Sequence, residues 1–144
     1  LQALATALGV ENRVRFVGQV SPSEVTTYRK VADIFVAPSR TEGLGNAFLS
    51  AMASRIPVIA TQVGGLADFL FDQKRNPEKV PTGFAVDVDS PEQIVAQVLY
   101  ILENPEKVTV ITENARTMVI EKYNWDAIGK EMYTRAFTPL LTGK

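Results

Sequence analysis

An α/β fold, built on a parallel sheet with flanking helices and closed by a helical carboxyl-terminal part, is what this sequence predicts. Three observations predict it. Short apolar runs alternate with stretches of helical periodicity, the signature of βαβ units. Those runs are apolar throughout rather than at every second position, as expected of strands covered on both faces. Glycine-bearing loops stand where strands hand over to helices, the place where open parallel sheets bind ligands.

Leu1, Leu4, Ala5 and Leu8 recur at helical spacing and Gly9 ends that helix. RVRFVG (13–18) reads as a short strand with a glycine exit. Ser21, Pro22, Ser23 and Glu24 form a capped start with proline in the first turn, so a helix runs to about Ala32. DIFVAPS (33–39) is a compact strand stopped by Pro38, and Asn46 to about Arg55 is a helix. PVIAT (57–61) is a buried strand whose proline sits at a permitted end. Gly64-Gly65 opens a short helix to about Leu70, DQKRNPEKVPTG (72–83) is a polar, solvated loop, and FAVDV (84–88) is the last strand. Three helices close the chain: one capped by Ser90 to about Glu103, one from Pro105 to about Tyr123, and one capped by Asn124. They are expected to pack across one face or onto another domain. Trp125 is expected to dock the last helix by core packing.

The chain has 144 residues, which suits one domain with one sizeable core. Fifteen Lys and Arg face sixteen Asp and Glu, so no global field points to nucleic acid or anionic lipid. There is no cysteine, which excludes disulfides and thiolate chemistry. There is also no histidine, so any catalysis must use carboxylates, hydroxyls, Lys, Arg or backbone amides. No apolar run approaches the about 18 residues of a membrane span, and the first residues show no secretory pattern.

The loop TEGLGN (41–46) lies between a strand's carboxyl end and a helix's amino end. Glycines there let backbone approach a ligand, and the helix terminus offers unpaired N–H groups and partial positive charge. A phosphate or a sugar hydroxyl suits such a mouth. An ordinary strand-to-helix turn that needs glycine would read the same way. Phe48 stands where a dinucleotide fingerprint needs its third glycine, and the Gly-Lys-Ser/Thr of a triphosphate loop is absent. Asp87-Val88-Asp89 mimics a metal-binding Asp-x-Asp but stands at a strand exit before a helix cap, so a turn is the preferred reading. Lys74, Arg75 and Lys79 read as part of a solvated loop. Thr61 and Gly64-Gly65 end a strand facing the same side as TEGLGN and line the cleft or serve tight packing.

The run PSRTEGLGNAFLSAMASRIPVIATQVGG (38–65) resembles the donor-site segment of the retaining family 4 glycosyltransferases of the GT-B fold. RVRFVGQVS, ADIFVAPS, TGFAVDVDSPEQI and EKYNWDAI resemble further landmarks, so the likeness covers essentially the whole chain. It implies a Rossmann-like parallel sheet, incomplete because the first strands of the donor domain are absent, with residues 1–144 forming part of that carboxyl-terminal domain. It implies transfer of a sugar from a nucleotide-sugar with retention of configuration and no bound metal or other cofactor. By the same resemblance Glu42 lies beside the donor sugar and its phosphates. Gly43, Leu44, Gly45 and Asn46 contact the donor, and Gly18 and Val20 match where the nucleobase is held. Ser50 stands where the family has a glutamate that accepts hydrogen bonds from both ribose hydroxyls. A serine is shorter and neutral, and losing such bonds costs about 1–3 kcal/mol.

The family's diphosphate-clamping basic pair and its acceptor domain have no counterpart here, so the chain alone is expected to hold part of a donor without completing a transfer. A glycan or lipid-linked acceptor, a cytoplasmic setting and peripheral membrane association of a parent protein are further expectations. Missing central strands would leave edges open to self-association or strand swapping, readable as mass in solution. The second function reading is a non-catalytic nucleotide-sugar binding or scaffold module.

Overall fold

The structure, a computed structural model, describes residues 1–142. It forms two compact units, Leu1–Val31 and a second that begins at Ala32.

In the first unit, helix α1 (Gln2–Ala7) buries Ala5. It stops at Gly9, whose φ of 65° lets Gly9 N–H reach Thr6 O and Val10 N–H reach Ala5 O, both at 3.0 Å. That is the paired closure typical of a left-handed helix stop. A single 3₁₀ turn follows at Glu11–Arg13. Helix α2 (Pro22–Lys30) starts as the sequence demands. Ser21 Oγ accepts from Glu24 N–H, and Glu24 Oε2 accepts from Ser21 N–H at 2.8 Å.

The strand expected at residues 13–18 does not form. Arg13 belongs to the 3₁₀ turn, and residues 14–20 join no ladder although Val14 is extended, at φ −116° and ψ 122°. An extended segment becomes a strand only when a neighbour takes its N–H and C=O groups. The first unit offers no other strand among the described residues, and Val14, Phe16 and Val17 stay exposed.

The second unit carries the sheet. Strands β1 (Phe35–Ala37), β2 (Val58–Thr61) and β3 (Phe84–Val86) are parallel and lie in the order β1-β2-β3. Val58 pairs with Phe35, Ala60 with both Ala37 and Ala85, and Ile59 with both Val36 and Phe84. Because side chains alternate between faces, this register sorts the core into two layers. On one face Val58, Ala60 and Ala85 pack with Phe48, Leu49 and Met52 of helix α3 (Asn46–Ala53). On the other, Ile59, Phe84 and Val86 pack with Ile101 of helix α4 (Pro91–Glu103). Helix α5 (Pro105–Lys122) serves both layers. Val108 and Ile111 join the second layer, and Ala115, Met118 and Val119 join the first.

Both β1 and β3 are edges. The β3 edge is covered by side chains standing in for a neighbouring strand: Asp72 Oδ2 accepts the Ala85 N–H at 3.1 Å, and Gln97 Nε2 donates to Ala85 O at 3.3 Å. The 72–83 loop is therefore not simply solvated. Asp72 is buried, its Oδ1 accepts from the N–H groups of Lys74 and Arg75, and Arg75 pairs with Asp87. The outer side of β1 has no strand neighbour among the described residues.

Asn124 caps helix α6 (Trp125–Met132) by accepting from Asp126 N–H at 2.8 Å. The helix continues through a π turn (Tyr133–Phe137) into helix α7 (Thr138–Thr142). Trp125 does not pack into a core. It is 84% exposed, and α6 buries no residue. Its position at the first turn places it on a helix that buries no residue, and nothing among the described residues covers its ring. No helix among the described residues is long and apolar enough to cross a membrane.

Candidate functional site

The candidate site is built from the loops that leave the carboxyl ends of β1 and β2. After β1 the chain runs through Pro38–Ser39 to Glu42, and Gly45 then turns it into α3. Gly45 takes φ 79° and ψ 52°, a left-handed conformation that strains any residue with a Cβ. A Cβ there would also lie 2.6 Å from Leu66 and 2.9 Å from Phe48. No side chain among the described residues caps α3, so the N–H groups its first turn leaves unpaired remain open to a ligand at the positive end of the helix.

The loop after β2 locks onto this one, backbone against backbone. Gly65 N–H donates to Gly43 O at 2.9 Å. A Cβ on Gly64 would fall 1.9 Å from Glu42 O, and one on Gly65 would fall 2.2 Å from Gly43 O. Thr61, buried at the end of β2, donates through its hydroxyl to Ser39 O at 2.5 Å. Thr61 and the glycine pair thus hold the mouth by tight packing, with Thr61 buried and Gly64 itself exposed.

Six of the expected residues come together here. Glu42 is half-buried, and its Oε1 accepts the Gly43 N–H at 3.1 Å while Oε2 has no partner among the described residues. Gly43 and Leu44 are exposed at the loop tip, Gly45 is buried beneath them, and Asn46 opens the helix. Ser50 lies one turn further on, on the same side of α3 as Asn46 and away from the buried Phe48, Leu49, Ala51 and Met52. Its hydroxyl makes no hydrogen bond among the described residues, while its carbonyl accepts from Ser54 Oγ at 3.0 Å. Gly18 and Val20 belong to the first unit. Gly18 is exposed with φ 76° and open space where a Cβ would stand, and Val20 is half-buried.

The sequence reading passed over one charged neighbour of the mouth. Arg40, two residues before Glu42, reaches Asp89 at 3.0 Å and so ties the β1 exit to the β3 exit. Its signal was only its place inside the motif. Both side chains are largely exposed, so the pair contributes at most about 1 kcal/mol, and an anionic ligand can draw Arg40 away at little cost. The neighbouring Asp87 carboxyl is held below its ordinary range, first by the Gln93 amide and then by Arg75. Asp87 and Asp89 therefore serve different partners. Ser90 heads α4 without a side-chain cap bond, and Gln93 instead accepts the Asp87 N–H at 2.8 Å.

The family pattern described as glycosyl transferases group 1 matches residues 1–118. The GDP-mannose-dependent alpha-(1-6)-phosphatidylinositol monomannoside mannosyltransferase of Mycobacterium tuberculosis is 30% identical over 139 residues, which cover 92% of this chain and 34% of that enzyme. The chain thus spans only part of the curated relative it matches. Among solved structures, the carboxyl-terminal domain of the group 1 family protein LpcC from Francisella tularensis superposes with a TM-score of 0.72 at 26% identity, covering 86% of this chain and 60% of that one. Anabaena Alr3699/HepE, solved in complex with UDP, shares the fold with a TM-score of 0.83 at 21% identity, covering 95% of this chain and 35% of that one. A small parallel sheet flanked by helices, a glycine mouth at its carboxyl edge and a family pattern over most of the residues agree: this chain belongs to the group 1 glycosyltransferases, a family of enzymes.

Proposed function

We propose that this chain is part of the donor-binding domain of a retaining glycosyltransferase of the family 4, GT-B type. The observation that carries the reading is the interlocked pair of glycine loops, which presents the Glu42 carboxylate and the uncapped start of α3 at one mouth. A nucleotide-sugar carries its own leaving group. The protein's part is to orient it and to stabilise the charge that develops on the diphosphate. In this reading the N–H groups of α3 and the redirected Arg40 meet the phosphates. Glu42 stands beside the sugar and Gly43, Leu44, Gly45 and Asn46 contact the donor, while Gly18 and Val20 are assigned to the base by the family resemblance alone. The bond from the anomeric carbon to the diphosphate oxygen breaks, the acceptor oxygen bonds to that carbon on the same face, and the acceptor's hydroxyl proton passes to the departing diphosphate, without a metal. HepE, of the same fold, was solved with UDP, which supports a nucleotide-sugar donor. A glycan or lipid-linked acceptor and a cytoplasmic or membrane-peripheral setting complete the proposal. Transfer needs an acceptor-binding domain joined to this chain.

Ser50 favours a second reading, a non-catalytic nucleotide-sugar module, because its neutral hydroxyl cannot replace a carboxylate gripping two ribose hydroxyls. Calorimetric titration of UDP-glucose and GDP-mannose, with Ser50→Glu and Glu42→Ala alongside, tests both. Ser50→Glu is expected to tighten binding by about one to two decades. Absence of binding in every form sinks the donor reading. Turnover by a protein joining this chain to an acceptor domain removes the scaffold reading.

A further inference from the structure

The outer edge of β3 carries a cleft that the donor mouth does not use. It lies between the Asp72–Arg75 loop and α4, in two adjoining chambers of about 190 and 300 Å³ that share Asp72, Lys74, Ala96 and Gln97. The donor loop leaves the opposite edge of the sheet, at β1.

The smaller chamber has an apolar floor and a polar rim. Phe84 and Ile111, both buried, form the floor, and the Tyr100 ring stands 6.1 Å from Phe84 at 56°. Around them are Gln73, Lys74 and Gln97. Most of this rim is unspent. Among the described residues the Lys74 ammonium, the Tyr100 hydroxyl and the Gln73 amide make no hydrogen bond or ion pair, and Gln97 uses only its NH₂, toward Ala85 O.

Charge and size narrow the ligand. Asp72 puts a carboxylate in the wall, although three backbone N–H groups occupy its oxygens. Lys74 balances it, and Arg75 is matched by Asp87. The lining is therefore neutral overall, which gives an anion or a cation no net advantage. A cavity of about 150 Å³ holds a benzene ring, so the 190 Å³ chamber takes one six-membered ring with substituents. A ring with an apolar C–H face and a rim of hydroxyls matches a floor of aromatic and aliphatic carbon under donors and acceptors of both kinds.

We propose that this cleft binds a single neutral monosaccharide unit, separately from the donor mouth. It stands whether or not Glu42–Asn46 holds a nucleotide-sugar. A ligand of this size bound by one chamber has a Kd on the order of 1 mM.

The test is a titration of the isotopically labelled chain with methyl glucoside, methyl mannoside and methyl galactoside, followed by amide NMR. At least one glycoside should give saturable shifts at Lys74, Phe84, Gln97 and Tyr100 and none at Gly43 to Asn46. Ala96 is exposed on α4 and lines both chambers, so Ala96→Trp should abolish those shifts with the rest of the spectrum unchanged. Tyr100→Phe should weaken binding about fivefold. Benzoate and inorganic phosphate are the anion probes. Cleft shifts with these and with no glycoside overturn the proposal. So do shifts that persist in Ala96→Trp, shifts confined to the donor loop, or no saturable shift far above the expected Kd.

Discussion

Replacing Gly65 by alanine probes the lock between the two glycine loops directly. Its φ lies outside the left-handed region, so the substitution adds a steric demand without backbone strain. The new Cβ would stand 2.2 Å from Gly43 O, where ordinary contact begins at 3.4 Å. One loop must give way by about 1.2 Å. The neighbours on both sides are backbone, so no rotamer can absorb the shift. Forcing atoms into a packed site costs about 1–3 kcal/mol, and the displaced Gly65 N–H···O Gly43 bond contributes about 1 kcal/mol more. A total of about 2–4 kcal/mol, with an m-value of about 2 kcal/mol per molar, lowers the urea midpoint by about 1–2 M. The mouth should suffer as well, because a shift near 1 Å displaces the Gly43 and Leu44 backbone that the donor reading places against the ligand, and the loss of one such hydrogen bond weakens binding by about fivefold to tenfold. Urea unfolding followed by circular dichroism reads the first effect, and nucleotide-sugar calorimetry the second. A Gly65→Ala protein with the parent's midpoint and donor affinity would show that the two loops are not locked and that the mouth owes nothing to β2.

Gly129, inside α6, has nothing within 4 Å of where a Cβ would stand, so Gly129→Ala should raise stability by about 0.5–1 kcal/mol in the same unfolding assay; a loss there would mean α6 is not helical in solution. Asp72→Ala strips the acceptor from the buried Ala85 N–H and from two loop N–H groups, and a loss of about 2–4 kcal/mol should appear with faster amide exchange at Ala85. Stability should also respond to pH at both ends. Glu24, through its bonds to Ser21, and Asp87, through Gln93 and Arg75, are held below their ordinary values. Their contribution is present above the unfolded value near pH 4 and is lost as pH falls through the depressed folded values. Tyr123 is raised by burial and then by the charge of Asp68, so its contribution is full below about pH 10 and fades as pH rises through the raised value. Urea midpoints from pH 3 to 11 check both limbs. A midpoint that climbs toward either extreme contradicts the assignments.

What the sequence disclosed and what it hid follow from the range of each interaction. The stops and starts of α1, α2, α5 and α6 were legible because Gly9, Ser21, Pro105 and Asn124 act on neighbours within five residues. The cores of β1, β2 and β3 were legible because apolar runs between turns need little context. The strand at 13–18 was not. An extended run such as VRFV carries no information about whether a neighbour exists to pair with it. Trp125 failed for the same reason, since a large ring seeks cover but cannot specify what supplies it. Arg55 shows the limit from the other side. It follows α3 at φ 60°, a position that favours glycine, and it pairs with Glu113, 58 residues away in sequence. The glycines of the mouth occupy a middle ground. Their missing Cβ atoms were visible at once, but what those atoms would strike was not. The structure shows that Gly64 and Gly65 make room for the backbone of Glu42 and Gly43. A glycine-rich loop therefore carries two messages that sequence cannot separate, space for a substrate and space for another loop. Here Gly64 and Gly65 carry the second, and in the donor reading proposed above Gly43, Asn46 and the Glu42 carboxylate carry the first.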